Sequence, residues 1–252
     1  MRTRSRIVVT VIVLTIVAAA VATIQHYRRN DLGYVLAHYG PAARARMKPY
    51  FDRAKVAYPP QRLALLIFKR EKRLSVWAGG SSGGWRFVRA YPILAASGTS
   101  GPKLREGDYQ VPEGLYRIEV LNPASSYHLS MRVGYPNAAD RKQAAIDHRT
   151  RLGGDIYIHG KNLSIGCVAI GDTAIEELFT LVADTGTPKV QLILSPNDLR
   201  VASAPITQTT PLWIVQLYQT IAAALVPFPI EMEANSAFDV RPGVKWKVLP
   251  VK

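Results

Sequence analysis

Short apolar runs separated by turn residues are the feature that most constrains the fold of this chain. Residues 63–68 form one such run, a polar turn follows, and residues 74–77 return as a second run. After a glycine-rich stretch, residues 85–94 are again typical of a strand. Closely spaced strands with glycine turns predict a mainly β, largely antiparallel domain. Further strands are predicted at residues 115–121, 155–159 and 190–194.

Two helices are predicted in the C-terminal part of the chain. Thr173 and Glu176 fit a capping box, an apolar stripe follows, and Gly186 suits the C-terminal cap. Residues 211–226 are expected to form an amphipathic or buried helix, because its two glutamines argue against a membrane span. The expected fold class is therefore β-rich α+β, with a few helices and a C-terminal helical extension.

The N-terminal residues predict export. Residues 7–24 are apolar apart from three threonines, and three arginines precede them. This length is near the lower limit for a spanning helix and favours an uncleaved anchor in the inner membrane. A signal peptide that is cleaved after Ala22 is the alternative. Both interpretations place the rest of the chain outside the cytoplasmic membrane, in the periplasm or a similar extracytoplasmic space.

Four segments are predicted from these changes in composition. Residues 1–27 form the anchor or signal peptide, 28–61 a basic juxtamembrane linker with one short helix, 62–197 the main domain, and 198–252 the C-terminal extension. The formal net charge is +14, and positive residues are concentrated in the linker. Such a face can attract anionic headgroups or cell-wall polymers, or can simply be solvated. Export separates the chain from nucleic acid, which is not an expected partner.

Cys167 is the only cysteine in the sequence. In an oxidising compartment it has no partner for a structural disulfide, so its reactivity is the better reason for its presence. His159 lies eight residues earlier, and an imidazole can take the thiol proton so that the thiolate attacks an acyl carbon. Gly166 permits a tight turn, in which its own amide and that of Cys167 are expected to be free to stabilise an oxyanion.

Spacing along the chain does not identify the group that orients His159. Asp155 lies four residues earlier, roughly 13 Å away along a strand, which is too far for a direct hydrogen bond. A backbone carbonyl or another segment must therefore orient the imidazole, with Tyr127 and His128 as candidates. Cys167 and two histidines could also bind zinc, but no compact ligand motif is present. No metal and no cofactor are expected.

The catalytic motif resembles that of a known family. Ile158-His159-Gly160 followed by Ser164-Ile165-Gly166-Cys167 resembles the active-site signature of L,D-transpeptidases, the YkuD-type domain. Over approximately residues 62–195, the resemblance implies a β-sandwich with one helix after the cysteine. Residues 101–108 and 112–116 resemble the strand and turn that lead to the catalytic half in this family. Four further runs resemble its YafK-like murein transpeptidase branch, namely residues 122–123, 127–130, 135–137 and 167–170.

This resemblance implies a reaction as well as a fold. Cys167 is then the nucleophile and His159 its base, while Ser164, Gly160 and Gly166 shape or support the site. The donor is a peptidoglycan stem peptide, attacked at the carbonyl that joins the L-centre of a diamino acid to a D-residue. An amine acceptor gives a crosslink or an attached protein. Water as acceptor makes the chain a hydrolase that trims stems or releases a peptidoglycan-linked lipoprotein.

Two positions depart from the pattern of many family members. An arginine often stands two residues after the cysteine, where this chain has Ala169, and histidine or arginine often stands where it has Ile165. The missing arginine removes a possible clamp for a substrate carboxylate, although the YafK-like branch shares both departures. A non-catalytic wall-binding protein that keeps the fold is an alternative from a different class.

Overall fold

The structure of the chain, a computed structural model, describes residues 31–80, 83–164 and 166–230, together with residues 15 and 17. Within them it contains five α-helices, one 3-10 turn and nine strands. The helices are α1 Leu32–His38, α2 Gly40–Ala54, α3 Ala138–Ile146, α4 Asp172–Thr185 and α5 Leu212–Leu225. The strands are β1 Arg62–Phe68, β2 Arg73–Gly79, β3 Arg86–Pro92, β4 Ala95–Ala96, β5 Gly114–Asn122, β6 Ser130–Val133, β7 Tyr157–His159, β8 Val168–Ala169 and β9 Val190–Ser195.

The strands form one curled sheet in the order β3-β2-β1-β9-β5-β6-β7-β8-β4. The pairs β1/β9 and β7/β8 are parallel, and the remaining pairs are antiparallel. Strand β5 pairs with β9 through its first half and with β6 through its second half, so it joins the two halves of the sheet. The expected β-sandwich is therefore built as one continuous sheet.

Strand β1 is buried on both faces, which explains its uninterrupted apolar sequence. Leu65 belongs to a cluster that also contains Phe179 of α4. Its neighbour Leu66 belongs to a second cluster that contains Ile221 of α5. Because alternate residues of a strand point to opposite faces, β1 forms the wall between these two cores.

The segment 28–61 contains more structure than the linker with one short helix that was expected. It holds α1 and α2, and α2 buries Met47 and Phe51 in the same core as α4. These residues are four positions apart and so lie on one face of the helix. Arg46 pairs with the buried carboxylate of Glu177 at 2.6 Å. Part of the basic charge is therefore used to attach α2 to α4.

Helix α4 follows the cysteine turn, as the resemblance implied. It begins at Asp172 with Gly171 at the N-cap, and the predicted capping box of Thr173 and Glu176 does not form. The helix starts two positions earlier than the pattern indicated, so Thr173 lies inside the first turn. Gly186 does end the helix, with a φ of 88°, as predicted.

The predicted anchor or signal peptide, residues 7–24, lies outside the described residues apart from residues 15 and 17. Among the described helices, none is both long enough and apolar enough to cross a membrane. The helix expected at residues 211–226 is present as α5. It is fixed to the sheet by Tyr218, whose hydroxyl donates to Glu113 Oε2 at 2.9 Å.

Candidate active site

Cys167 lies in a turn that Ser164 holds through both backbone groups of the cysteine. Ser164 Oγ donates to the Cys167 carbonyl at 2.6 Å and accepts from the Cys167 N–H at 2.9 Å. This corrects the expectation that the Cys167 amide is free for an oxyanion. Gly166 has a φ of 105°, which L side chains rarely adopt. Its N–H forms no hydrogen bond within the part of the chain that the structure describes.

The pairing of β7 with β8 brings the thiol and the imidazole to one face of the sheet. The two strands are parallel, with His159 opposite Ala169. Extending this register back by two residues places Cys167 beside Tyr157. Because alternate residues share a face, Cys167, Tyr157 and His159 lie on the same side. Strand spacing and rise put the Cα atoms of Cys167 and His159 roughly 8 Å apart, within reach of side-chain contact.

The imidazole of His159 is buried and held in one tautomer. Its Nδ1 lies 2.7 Å from the carbonyl oxygen of Gly160. A carbonyl can only accept, so Nδ1 carries the proton of the neutral ring and Nε2 is the basic nitrogen. The ring of Tyr127 packs on the imidazole, with centroids 4.6 Å apart. A backbone carbonyl, one of the options left open by the sequence, thus orients His159, and Tyr127 covers the ring.

Gly160 is required by the close approach of neighbouring groups. A Cβ atom at this position would lie 2.6 Å from Asp172 Oδ1 and 2.8 Å from the Tyr127 carbonyl oxygen. Asp172 Oδ1 also accepts from the Lys161 N–H at 2.7 Å. The residues after His159 are therefore held directly against the start of α4.

His128 has contacts that lead away from the imidazole. Its Nε2 lies 3.0 Å from Glu176 Oε1 on α4. The ring also packs edge-on against Tyr39, between α1 and α2, at a centroid distance of 5.0 Å. His128 therefore links the loop that carries Tyr127 to three helices, and it does not orient His159 directly.

The thiol of Cys167 contacts a backbone oxygen that sequence reasoning missed. Its Sγ donates to the Asp155 carbonyl at 3.6 Å. Asp155 has a φ of 55°, so β7 begins at Tyr157 and the predicted strand 155–159 is shortened. The Asp155 side chain is set aside as expected, but its backbone lies at the site.

The protein environment shifts the pKa values of His159 and Cys167 in the directions that disfavour a thiolate–imidazolium ion pair. Burial lowers the pKa of His159 below its usual value. Burial raises the pKa of the Cys167 thiol, and the nearby Asp155 carboxylate raises it further. A hydrogen bond from the Tyr157 backbone lowers this pKa but does not cancel the effect of burial. Both directions favour a neutral thiol beside a neutral imidazole at neutral pH. This arrangement suits activation of the thiol by a general base.

No metal centre is evident within the described part of the chain. Its histidine, cysteine, aspartate and glutamate residues include no group of three or more that is arranged to hold a metal ion.

Comparison with known proteins assigns the family. The model of the YkuD family, the L,D-transpeptidase catalytic domain, matches residues 62–192, slightly more than half of the chain. The chain therefore belongs to the L,D-transpeptidase catalytic-domain family.

Individual relatives agree with this assignment. The chain is 35% identical over 135 residues to "Putative L,D-transpeptidase YafK" of Escherichia coli strain K12, a match that covers 52% of each protein. The same values hold for the protein of that name in Escherichia coli O157:H7. The chain thus spans about half the length of the curated relatives it matches.

Solved structures that are similar to the chain include the following two. The helical cell shape determining protein Pgp2 from Campylobacter jejuni is 27% identical, with 54% of this chain and 48% of that chain covered and a TM-score of 0.46. L,D-transpeptidase 1 of Mycobacterium tuberculosis is 15% identical, with 53% and 61% covered and a TM-score of 0.31. Both TM-scores are below 0.5, so the family assignment rests on the family model and not on these superpositions.

Proposed function

We propose that the chain is a cysteine acyltransferase that acts on peptidoglycan stem peptides through a thioester acyl-enzyme. One observation carries this proposal. Cys167 and His159 share a face of the β7/β8 pair, and Ser164 and Gly160 hold them in place through the backbone. Family membership supplies the substrate class, and the site supplies a nucleophile, a base and a tautomer that fit acyl transfer.

The first half of the reaction forms the acyl-enzyme. His159 Nε2 accepts the proton of Cys167, and the thiolate sulfur attacks the carbonyl carbon between the diamino acid and the D-residue. The Gly166 N–H is the proposed donor to the resulting oxyanion, because the Cys167 N–H is already bonded to Ser164. When the carbon–nitrogen bond breaks, the imidazolium returns the proton to the leaving amine, and a thioester remains on the sulfur.

The second half transfers the acyl group. An acceptor amine attacks the thioester carbon, gives its proton to His159 Nε2, and forms a new amide as the thiolate leaves and is reprotonated. With water as the acceptor, the same steps would release a shortened stem. We assign the amine reaction to this chain because the family is one of transpeptidases.

The proposed substrate places the chain outside the cytoplasmic membrane. Peptidoglycan stems lie there, which agrees with the export signal predicted at residues 7–24. We propose that this segment holds the enzyme at the inner membrane, and that residues 62–197 form its catalytic domain. A peptidoglycan-linked lipoprotein remains a proposed further partner.

A product analysis tests the function. The purified chain is incubated with defined tetrapeptide stems and with sacculi, and the products are resolved by mass spectrometry. The proposal predicts crosslinks between two diamino acids, which disappear in Cys167→Ala. Shortened stems without crosslinks would replace the transferase by a hydrolase, and no turnover with binding unchanged in Cys167→Ala would favour a wall-binding protein.

A further inference from the structure

The position two residues after Cys167, where an arginine often stands in the family, is occupied by alanine in this chain. Ala169 is fully buried between His159 of β7 and Ala95 of β4. Its methyl side chain offers no charge to a substrate. We propose that Arg132 of β6 recognises a carboxylate of the donor stem peptide; this inference rests on the proposed function.

Strand register places Arg132 on the catalytic face. Strand β6 pairs with β7 in antiparallel register, with Arg132 opposite Tyr157. Directly opposed residues of paired strands share a face. Tyr157 in turn lies beside Cys167, so the Arg132 Cα is about two strand spacings, roughly 10 Å, from the Cys167 Cα. An extended arginine side chain can span most of that distance towards a bound peptide.

The guanidinium of Arg132 has unused hydrogen-bonding capacity. Its Nε is buried and has no hydrogen-bond partner in the described part of the chain. The nearest carboxylate oxygen, Glu119 Oε2, lies 3.9 Å away, beyond hydrogen-bond distance. About 40% of the side chain is exposed, so a ligand can reach it. A buried N–H that lacks a partner favours binding of an acceptor, and a carboxylate matches the guanidinium fork.

Two other cations near the site are already engaged. Lys103, which influences the Cys167 thiol, is buried and bonded to Asp108 and to a backbone carbonyl. Lys161 Nζ donates to the Ser126 carbonyl at 2.6 Å. Arg132 is therefore the cation beside this face with donors available to a substrate, within what the structure describes.

Two carboxylates of the proposed donor could meet this guanidinium. The terminal carboxylate of the D-residue is one residue from the bond that breaks, and the side-chain carboxylate of the diamino acid lies on the other side of that bond. Both present the same planar, bidentate acceptor. The inference is therefore recognition of a donor carboxylate, and peptides that differ in one carboxylate at a time identify which one it is.

The test is a double-mutant cycle, in which enzyme variants are combined with substrate variants and their values of kcat/KM are compared. Wild type and Arg132→Gln are assayed on three stem tetrapeptides, namely the free acid, the C-terminal carboxamide and the side-chain carboxamide of the diamino acid. With wild type, amidation of the recognised carboxylate is expected to lower kcat/KM roughly 10- to 100-fold, the range for a hydrogen bond between charged groups. Arg132→Gln should lose a similar factor on the free acid, mainly through KM, and lose nothing further on the recognised amide.

Matched variants separate recognition from stability. Arg141→Gln removes an exposed arginine of α3 and should leave every kcat/KM unchanged. Arg132→Lys keeps the charge without the fork and should recover part of the loss. Thermal unfolding of each variant reports whether the fold persists.

Each outcome has a defined meaning. Coupling between Arg132 and either carboxylate supports the inference and names the group recognised. Equal losses by Arg132→Gln on all three peptides, or no loss on any, would overturn it while leaving the proposed function intact. A wild-type chain that turns over none of the peptides would overturn the proposed function, and this inference with it.

Discussion

The two halves of the sheet are built in different ways. Strands β1, β2, β3 and β9 have six or seven residues each and pair along almost their whole length. Strands β4, β7 and β8, around the candidate site, have only two or three residues. The first half has long backbone ladders and packs on two apolar cores. The second half has short ladders, shares one of those cores, and positions the candidate site through single contacts such as those of Ser164 and Gly160. We call the first half the scaffold half, and the second, which holds the candidate site, the catalytic half. Changes in the scaffold half should therefore affect stability, and changes in the catalytic half should affect activity.

The largest effect is expected from His159→Gln in the catalytic half. Loss of a general base typically lowers the rate by about 10²- to 10⁴-fold, while the amide can keep a contact to the Gly160 carbonyl. Steady-state kinetics and thermal unfolding should show a large loss of kcat with little change in Tm. His148→Gln removes an exposed histidine and is the matched control. A His159→Gln enzyme with near wild-type kcat would remove the base from the mechanism.

The opposite result is expected from Leu65→Ala in the scaffold half. Leu65 is fully buried at the centre of β1, so truncation should lower the free energy of unfolding by about 2–5 kcal/mol. Denaturant titration measures this loss, and kcat per active site should be unchanged below the unfolding transition. Leu115→Ala, at an exposed position of β5, should cost less than about 0.5 kcal/mol. A strong loss of kcat in folded Leu65→Ala would mean that the two halves are not separable.

Two glycines sharpen the contrast within the catalytic half. Gly160→Ala would bring Cβ against the Tyr127 backbone, and such overpacking should lower stability by about 1–3 kcal/mol and move His159. At Gly166 the nearest atom to a Cβ is 4.0 Å away, so only the positive φ is strained, at a cost of about 1–2 kcal/mol. Both variants should lose activity, but Gly160→Ala should lose more stability.

Gly84→Ala is the control for these two glycines, because its Cβ would meet nothing within 4 Å. Chemical denaturation measures the free energy of unfolding of the three variants, and acyl-transfer rates measure their activity. If Gly160→Ala were as stable and active as Gly84→Ala, close packing behind the His-Gly segment would not matter for the site.

The pH profile gives a smaller but diagnostic effect. The lowered pKa of His159 keeps Nε2 unprotonated down to pH values below the usual histidine pKa of about 6.5. The raised pKa of Cys167 keeps the thiol protonated above its usual range. We expect kcat/KM to be flat around neutral pH, to fall only below about pH 6.5, and to show no thiolate absorbance at neutral pH.

The lowered pKa of His159 also makes the stability of the fold depend on pH. The unfolded chain binds a proton at His159 more readily than the folded chain, so the contribution of this residue to stability decreases as pH falls through about 6.5 and below. Strong thiolate absorbance at neutral pH would instead indicate a preformed thiolate–imidazolium pair and contradict the neutral pair.

The sequence predicted the scaffold half well because its signals are local. The apolar runs at β1, β2 and β9 lie within a few residues of the observed bounds. The register of the β7/β8 pair, extended by one residue, also places His159 and Cys167 on one face of the sheet, as the proposed site requires. Chain-local patterns carry this information directly.

Other features depend on contacts that are distant in sequence. Helix α2 is stabilised by Met47 and Phe51 against α4, more than a hundred residues away, so its basic sequence resembled a linker. The left-handed backbone of Asp155 and the placement of Arg132 beside Tyr157 follow from strand ends and register. No local pattern specifies either, which is why the carbonyl at the thiol and the candidate carboxylate clamp were not predicted.

The central claim is that Cys167 carries the acyl group. Intact-mass measurement of the chain after brief exposure to a stem peptide, or to a carbapenem, tests it directly. The account predicts one covalent adduct per chain that maps to Cys167, that is absent in Cys167→Ala, and that forms more slowly in His159→Gln. Turnover of stem peptides by Cys167→Ala at the wild-type rate, with no adduct on the wild-type chain, would contradict it.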